Sequence, residues 1–134
     1  MKKIFFALVA IVAMFAFTSC GGNTVESQIF DLSYDKGDLG DGDVILYQTT
    51  YAPIFIEEIS KVAQPATESG TTFMVNATEK KAKADVKAAF DKAADEAQKL
   101  NDQSNLSLKG LKVILEHSTA SNQNKKEFCT YTFK

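Results

Sequence analysis

The stretch from about Ala77 to Asn101 constrains this 134-residue chain more than any other. Ala82, Val86, Ala89, Phe90, Ala93, Ala97 and Leu100 recur at the spacing of one helical face. Lys80, Lys81, Lys83, Lys87, Asp91, Lys92, Asp95 and Lys99 fall on the other, where pairs such as Lys87 and Asp91 sit one turn apart. Asn76 stands where an N-cap is needed, with Glu79 three residues on in a capping-box-like arrangement. The spacing predicts a helix about 37 Å long. Its apolar stripe needs a partner surface. A stripe made mostly of alanine, with no tryptophan, suits packing on a sheet better than lying on a membrane.

The strands to receive it are legible as alternations. Gln28 to Tyr34 puts Phe30, Leu32 and Tyr34 on one side and Asp31 and Ser33 on the other. Val44 to Tyr51 is rich in β-branched and aromatic residues and is expected to pair with it as a hairpin across Asp35 to Asp43. Thr71 to Val75 is a brief third strand. Leu106 to His117 is a fourth whose alternation changes phase at Gly110, as a bulge or bend would produce. Lys125 to Phe133 closes the chain with Cys129, Tyr131 and Phe133 inward, antiparallel to its neighbour. Between the second and third strands, Pro53 to Ala63 reads as a short helix, with Pro53 at its first position and Phe55, Ile56, Ile59 and Val62 at helical spacing. The expectation is an α+β fold in the order ββαβαββ: a four- or five-stranded, mainly antiparallel sheet with one long helix across a face and a shorter helix beside it.

Ahead of this pattern lies a segment of another kind. Lys2 and Lys3 precede an unbroken apolar run from Ile4 to Phe17, shorter than the roughly 17 to 25 residues of a spanning helix. Phe17, Thr18, Ser19 and Cys20 follow, and this ending resembles, in a loose form, the lipobox of bacterial lipoproteins. The resemblance covers residues 1–20 only. It implies that residues 1–19 are a removed signal peptide and that Cys20 becomes the acylated first residue of the mature chain. Because Gly21 is not Asp, it also implies attachment to the outer membrane of the cell envelope. The absence of an acidic cluster after Cys20 favours the periplasmic face. Residues 20–27 are then expected to be lipidated cysteine and tether, and residues 28–134 a single domain.

Composition narrows the function. The formal net charge is −2, and removal of Lys2 and Lys3 makes the remainder more acidic. Neither Arg nor Trp occurs in the chain. Nucleic acid is therefore not expected as a partner, nor is bidentate phosphate recognition. With Cys20 lipidated, Cys129 has no disulfide partner, and its place in a strand reads as a small inward hydrophobe. No cofactor signature is present. His117 is the single histidine, so any Ser-His or Cys-His mechanism would have to be built around it, but no nucleophile elbow or zinc spacing accompanies it. Asp35, Asp38, Asp41 and Asp43 cluster with Gly37, Gly40 and Gly42. Calcium would want such oxygens, but the spacing misses the EF-hand register, and turn formation accounts for the same residues. Tyr34, Tyr47, Tyr51 and His117, with the loops Asp35 to Asp43 and Ser118 to Asn124, form the expected binding surface, since tyrosine offers large contact area at low entropic cost.

Two functional readings follow. The leading one is an envelope-anchored lipoprotein that binds an envelope protein or a glycan without catalysis. The alternative is a small hydrolase or metal-dependent enzyme using His117 and the Asp-rich loop. On either reading, Cys20→Ala should move the exported protein from the membrane fraction to the soluble one. Unmodified wild-type protein recovered as soluble after export would refute the lipid anchor.

Overall fold

The computed structural model describes residues 24–68, 70–104 and 107–134. Cys20 and the expected signal peptide lie outside them, as does Leu106. The elements are β1 (Val25–Asp35), α1 (Asp41–Leu46), a π-helical segment (Tyr47–Tyr51), α2 (Ala52–Ser60), β2 (Gln64–Pro65), β3 (Thr72–Thr78), α3 (Glu79–Gln103), β4 (Lys112–Thr119) and β5 (Lys126–Thr132). The five strands form one antiparallel sheet in the order β2-β3-β1-β4-β5. The α+β expectation therefore holds, with the first and longest strand at the centre.

Register places Phe30 beside Phe73 and His117, Leu32 beside Leu115, and Leu115 beside Cys129. These residues share one sheet face, and all are buried against the helices. On the other face Asp31 accepts from the Thr72 hydroxyl at 2.6 Å and pairs with Lys125. β1 begins at Val25, ahead of the expected Gln28, and Ser27 and Gln28 are fully buried. Val25 to Ser27 thus belong to the sheet and not to a tether.

The largest correction concerns residues 41–60. The expected strand from Val44 to Tyr51 is helical, and α1, the π-helical segment and α2 follow one another without leaving right-handed helical backbone. Tyr47, Tyr51, Phe55 and Ile59 are all buried, a row of four at the i, i+4 spacing of a helix face. That burial outweighs the β-propensity of Val44, Ile45 and the two threonines, because propensity spans only about 1 kcal/mol whereas each buried large side chain contributes roughly 1.5–3 kcal/mol. Pro53 accordingly sits inside the rod instead of at its start. It has no N–H to donate, and its ring would collide with the carbonyl one turn back. The π-helical widening immediately before it is a known way to absorb such a residue.

The long helix starts two residues later than expected. Asn76 is in β3, and Thr78 is the N-cap, its hydroxyl accepting from the Lys81 amide at 3.3 Å. Ala82, Val86, Ala89, Phe90, Ala93 and Ala97 are buried as expected, but Leu100 is exposed and Asn101 takes the last inward position. The Asn101 carboxamide accepts from the Leu108 amide at 2.9 Å, fixing the return of the chain toward the sheet. On the solvent face Lys81–Asp85, Lys83–Glu79, Lys87–Asp91 and Lys99–Asp95 pair one turn apart. Phe55 of α2 meets Phe90 of α3 at 5.2 Å between ring centroids, so the two helices share one layer. No helix among the described residues is long and apolar enough to cross a membrane.

The strand expected from Leu106 begins only at Lys112; Gly110, with φ +95°, lies in a turn ahead of β4, so the change of phase marks the entry to the strand and not a bend within it. A separate irregularity falls between Leu115 and Glu116, where β5 carries one extra residue, Phe128. Phe128 faces the helix layer, 5.8 Å from Phe30. Cys129, beside it, is buried, and desolvation pushes its thiol up to about 11. The cap assignment has a direct check by chemical denaturation: Thr78→Ala should cost about 1 kcal/mol and Asn76→Ala well under half of that.

Candidate functional site

β1 carries expected site residues to both ends of the sheet, and a cleft stands at each. At the C-terminal end β1 outruns β3. The last register pair is Asp31 with Thr72, followed by one bond from the Leu32 amide to the Thr71 carbonyl at 2.7 Å. Beyond it the helical rod, and not a strand, lies beside β1. A cleft of about 390 Å³ lies between them, lined by Leu32, Tyr34, Tyr47, Gln48, Ala52 and Ile56, with hydroxyls from Ser33 and Thr71 at its margin.

Tyr34 and Tyr47 meet here with ring centroids 5.0 Å apart and planes inclined at 51°. The Gln48 side-chain amide donates to the Tyr34 hydroxyl at 2.9 Å. Tyr47 is only 2% exposed and lines the cleft. Burial, with Tyr34 alongside, raises its pKa far above the ordinary phenol value, so it remains an O–H. Tyr34 lies on the strand expected for it, whereas Tyr47 belongs to the helical rod and not to a second strand. The contribution of Gln48 was hidden by reading its segment as a strand. Tyr51 does not belong to this surface: it is 1% exposed and packs edge-on against Phe133 at 5.5 Å.

The Asp-rich loop adjoins this end of the sheet, but its carboxylates do not converge. Asp35 accepts from the Gly37 amide at 3.0 Å, where Gly37 takes φ +59°. Asp43, in the first turn of α1, accepts from the Gly40 amide at 3.3 Å. Asp38 and Asp41 are exposed. Among the described residues no three His, Cys, Asp or Glu side chains are placed to hold a metal ion together.

His117 lies at the opposite end. Asp35 pairs with Lys112, and the strand rise puts His117 about 17 Å further along β4. The pairing of His117 with the Asp-rich loop, on which the catalytic alternative depended, is therefore broken by the fold. His117 is buried, its ring 5.1 Å from Phe30 and 6.3 Å from Phe128. Gln28 donates through Nε2 to the Ala77 carbonyl at 3.0 Å and turns Oε1 to His117 Nε2 at 2.8 Å. A carbonyl only accepts, so Gln28 Oε1 is the acceptor and the neutral His117 ring carries its proton on Nε2.

The cleft beside His117 holds about 170 Å³ and is lined by Glu79, Lys83, Asn122, Asn124, Lys126 and Glu127, with Phe128 as its apolar wall. Its charges offset one another, and Lys83 is already paired with Glu79 at 3.0 Å. Lys83 also lies over the Phe128 ring, 5.5 Å from its centroid. The loop above is tied down by Glu26, which accepts from the amide and hydroxyl of Ser121 at 2.8 and 2.9 Å. No Ser, Thr or Cys hydrogen-bonds to His117 among the described residues, and its orienting partner is an amide, not a carboxylate.

No protein-family model, curated protein or solved structure matches the chain.

Burial, then Lys83, lowers the His117 pKa below 6.5, against smaller opposing effects of Glu79 and Glu26. Between that lowered value and the ordinary one, the unfolded chain binds more protons than the folded chain, so stability is full above about pH 6.5 and falls with acidification below it. Thermal melts in steps from about pH 7.5 to about pH 5.5 should show this fall, and His117→Gln should flatten it. A wild-type midpoint that stays constant across the window would contradict the burial of a neutral imidazole.

Proposed function

We propose that this protein is an envelope lipoprotein, anchored to the outer membrane through Cys20, that acts by binding an envelope protein or a glycan in the Tyr34–Tyr47 cleft. The observation that carries the reading is a cleft in which two tyrosine rings meet, one with its hydroxyl already oriented by Gln48.

The path of β1 supports the same reading. Val25 stands close in sequence to Cys20, and at about 3.3 Å per residue the strand carries Tyr34 about 30 Å beyond it. A lipid at Cys20 would therefore leave the His117 end nearer the bilayer and present the tyrosine cleft outward. Mild acidity and the lack of Arg favour neither nucleic acid nor an anionic lipid surface as the ligand. His117, held by Gln28 between Phe30 and Phe128, reads as a core residue that closes the sheet end and not as a base.

The test is site-specific crosslinking of the full-length, exported protein in cells. A photo-reactive residue at Gln48, which is exposed, should give a discrete adduct whose yield falls several-fold when Tyr34→Ala is added. Adducts from Asn124 in the His117 cleft, with none from Gln48, would overturn the placement.

A further inference from the structure

We infer that the Tyr34–Tyr47 cleft is built for one face of a neutral sugar ring. This rests on the binding reading above and names the class of its ligand.

The lining carries no Asp, Glu, Lys or His. A phosphate, a carboxylate or an ammonium group entering it would lose hydration and meet no counter-charge, at a cost of several kcal/mol. A wholly apolar guest fares little better. It would cover the Tyr47 hydroxyl, the Gln48 amide and the Tyr34 hydroxyl while offering none of them a partner. The occupant that satisfies both constraints is uncharged, with an apolar face and a rim of groups that donate and accept.

A pyranose has that form. Its C–H face suits the tilted Tyr34 and Tyr47 rings and the aliphatic wall of Leu32, Ala52 and Ile56. Its hydroxyls each donate and accept, and the cleft offers both functions in close succession. Tyr34 accepts from Gln48 and keeps its own O–H to give. Gln48 retains a second N–H and a carbonyl oxygen, and Tyr47 can act either way. The volume of about 390 Å³ lies at the small end of ligand sites, room for one or two rings. The polar groups are also mounted on a sheet strand and a continuous helical rod, so little ordering remains to be done on binding.

The experiment is a screen of the full-length protein, in detergent, against immobilised neutral and acidic glycans, followed by titration of the best neutral oligosaccharide. Neutral glycans should be retained in preference to sialylated or uronic-acid ones. Tyr47→Phe, which removes one oxygen and leaves the ring, should weaken binding about tenfold. Gln48→Ala, at an exposed position that leaves the core untouched, should weaken it by a similar factor, with both variants melting as wild type does. Absence of any neutral-glycan binding, a preference for acidic glycans, or wild-type affinity in both variants would overturn the sugar assignment. If Gln48 crosslinks in cells to a protein while the glycan screen is negative, the sugar class fails and the binding cleft stands; if Gln48 gives no adduct either, both fail.

Discussion

The seating of an alanine stripe on the sheet is the contact on which the rest of the molecule depends. Ala82, Ala89, Ala93 and Ala97 are buried along one side of α3, and side chains of that size let a helix lie close to the strands beneath it. Phe90 reaches sideways to Phe55, and through that pair α2 is held in the same layer. The far end is secured by polar contacts: Asn101 captures the Leu108 amide, and Gln98 accepts from the Tyr131 hydroxyl and the Lys134 amide. A bulkier stripe would lift α3 and loosen each of these together.

Both clefts sit beside a backbone irregularity. At one end the helical rod widens into π geometry ahead of Pro53, and the residues of the widened turn include Tyr47 and Gln48. At the other end a bulge in β5 turns Phe128 toward the helices, where it covers His117 and underlies Lys83. Irregular backbone releases a side chain from the strict period of its element and lets it be aimed. The electrostatics of the two places differ for a simple reason. The His117 cleft borrows its charges from the first turn of α3 and the edge of β5, and Glu79 and Lys83 offset each other within it. The tyrosine cleft is lined by apolar and uncharged polar residues of β1, the rod and Thr71, and carries no charge.

How far the sequence could be read depended on whether a residue's partners were near it in the chain. The long helix, the inward face of Phe30 and Leu32, and the closing strand with Cys129 and Phe133 are properties of local periodicity, and the sequence by itself determined them. Residues 41–60 were misread because β-branched and aromatic residues do not name their own conformation. The row Tyr47, Tyr51, Phe55, Ile59 held the helical spacing, but it outweighs β-propensity only once a core stands ready to bury it. The site was legible in the same partial way. Tyr34 and Tyr47 could be singled out by residue type, whereas Tyr51 could not be known to lie in the core, nor His117 to be held by Gln28, a residue far away in sequence. Only the tertiary structure decided that two tyrosines share a cleft and that His117 and the Asp-rich loop occupy opposite ends of the sheet. Those facts follow from strand register and helix placement, and both are fixed by the burial of distant side chains against one another, which no local pattern contains.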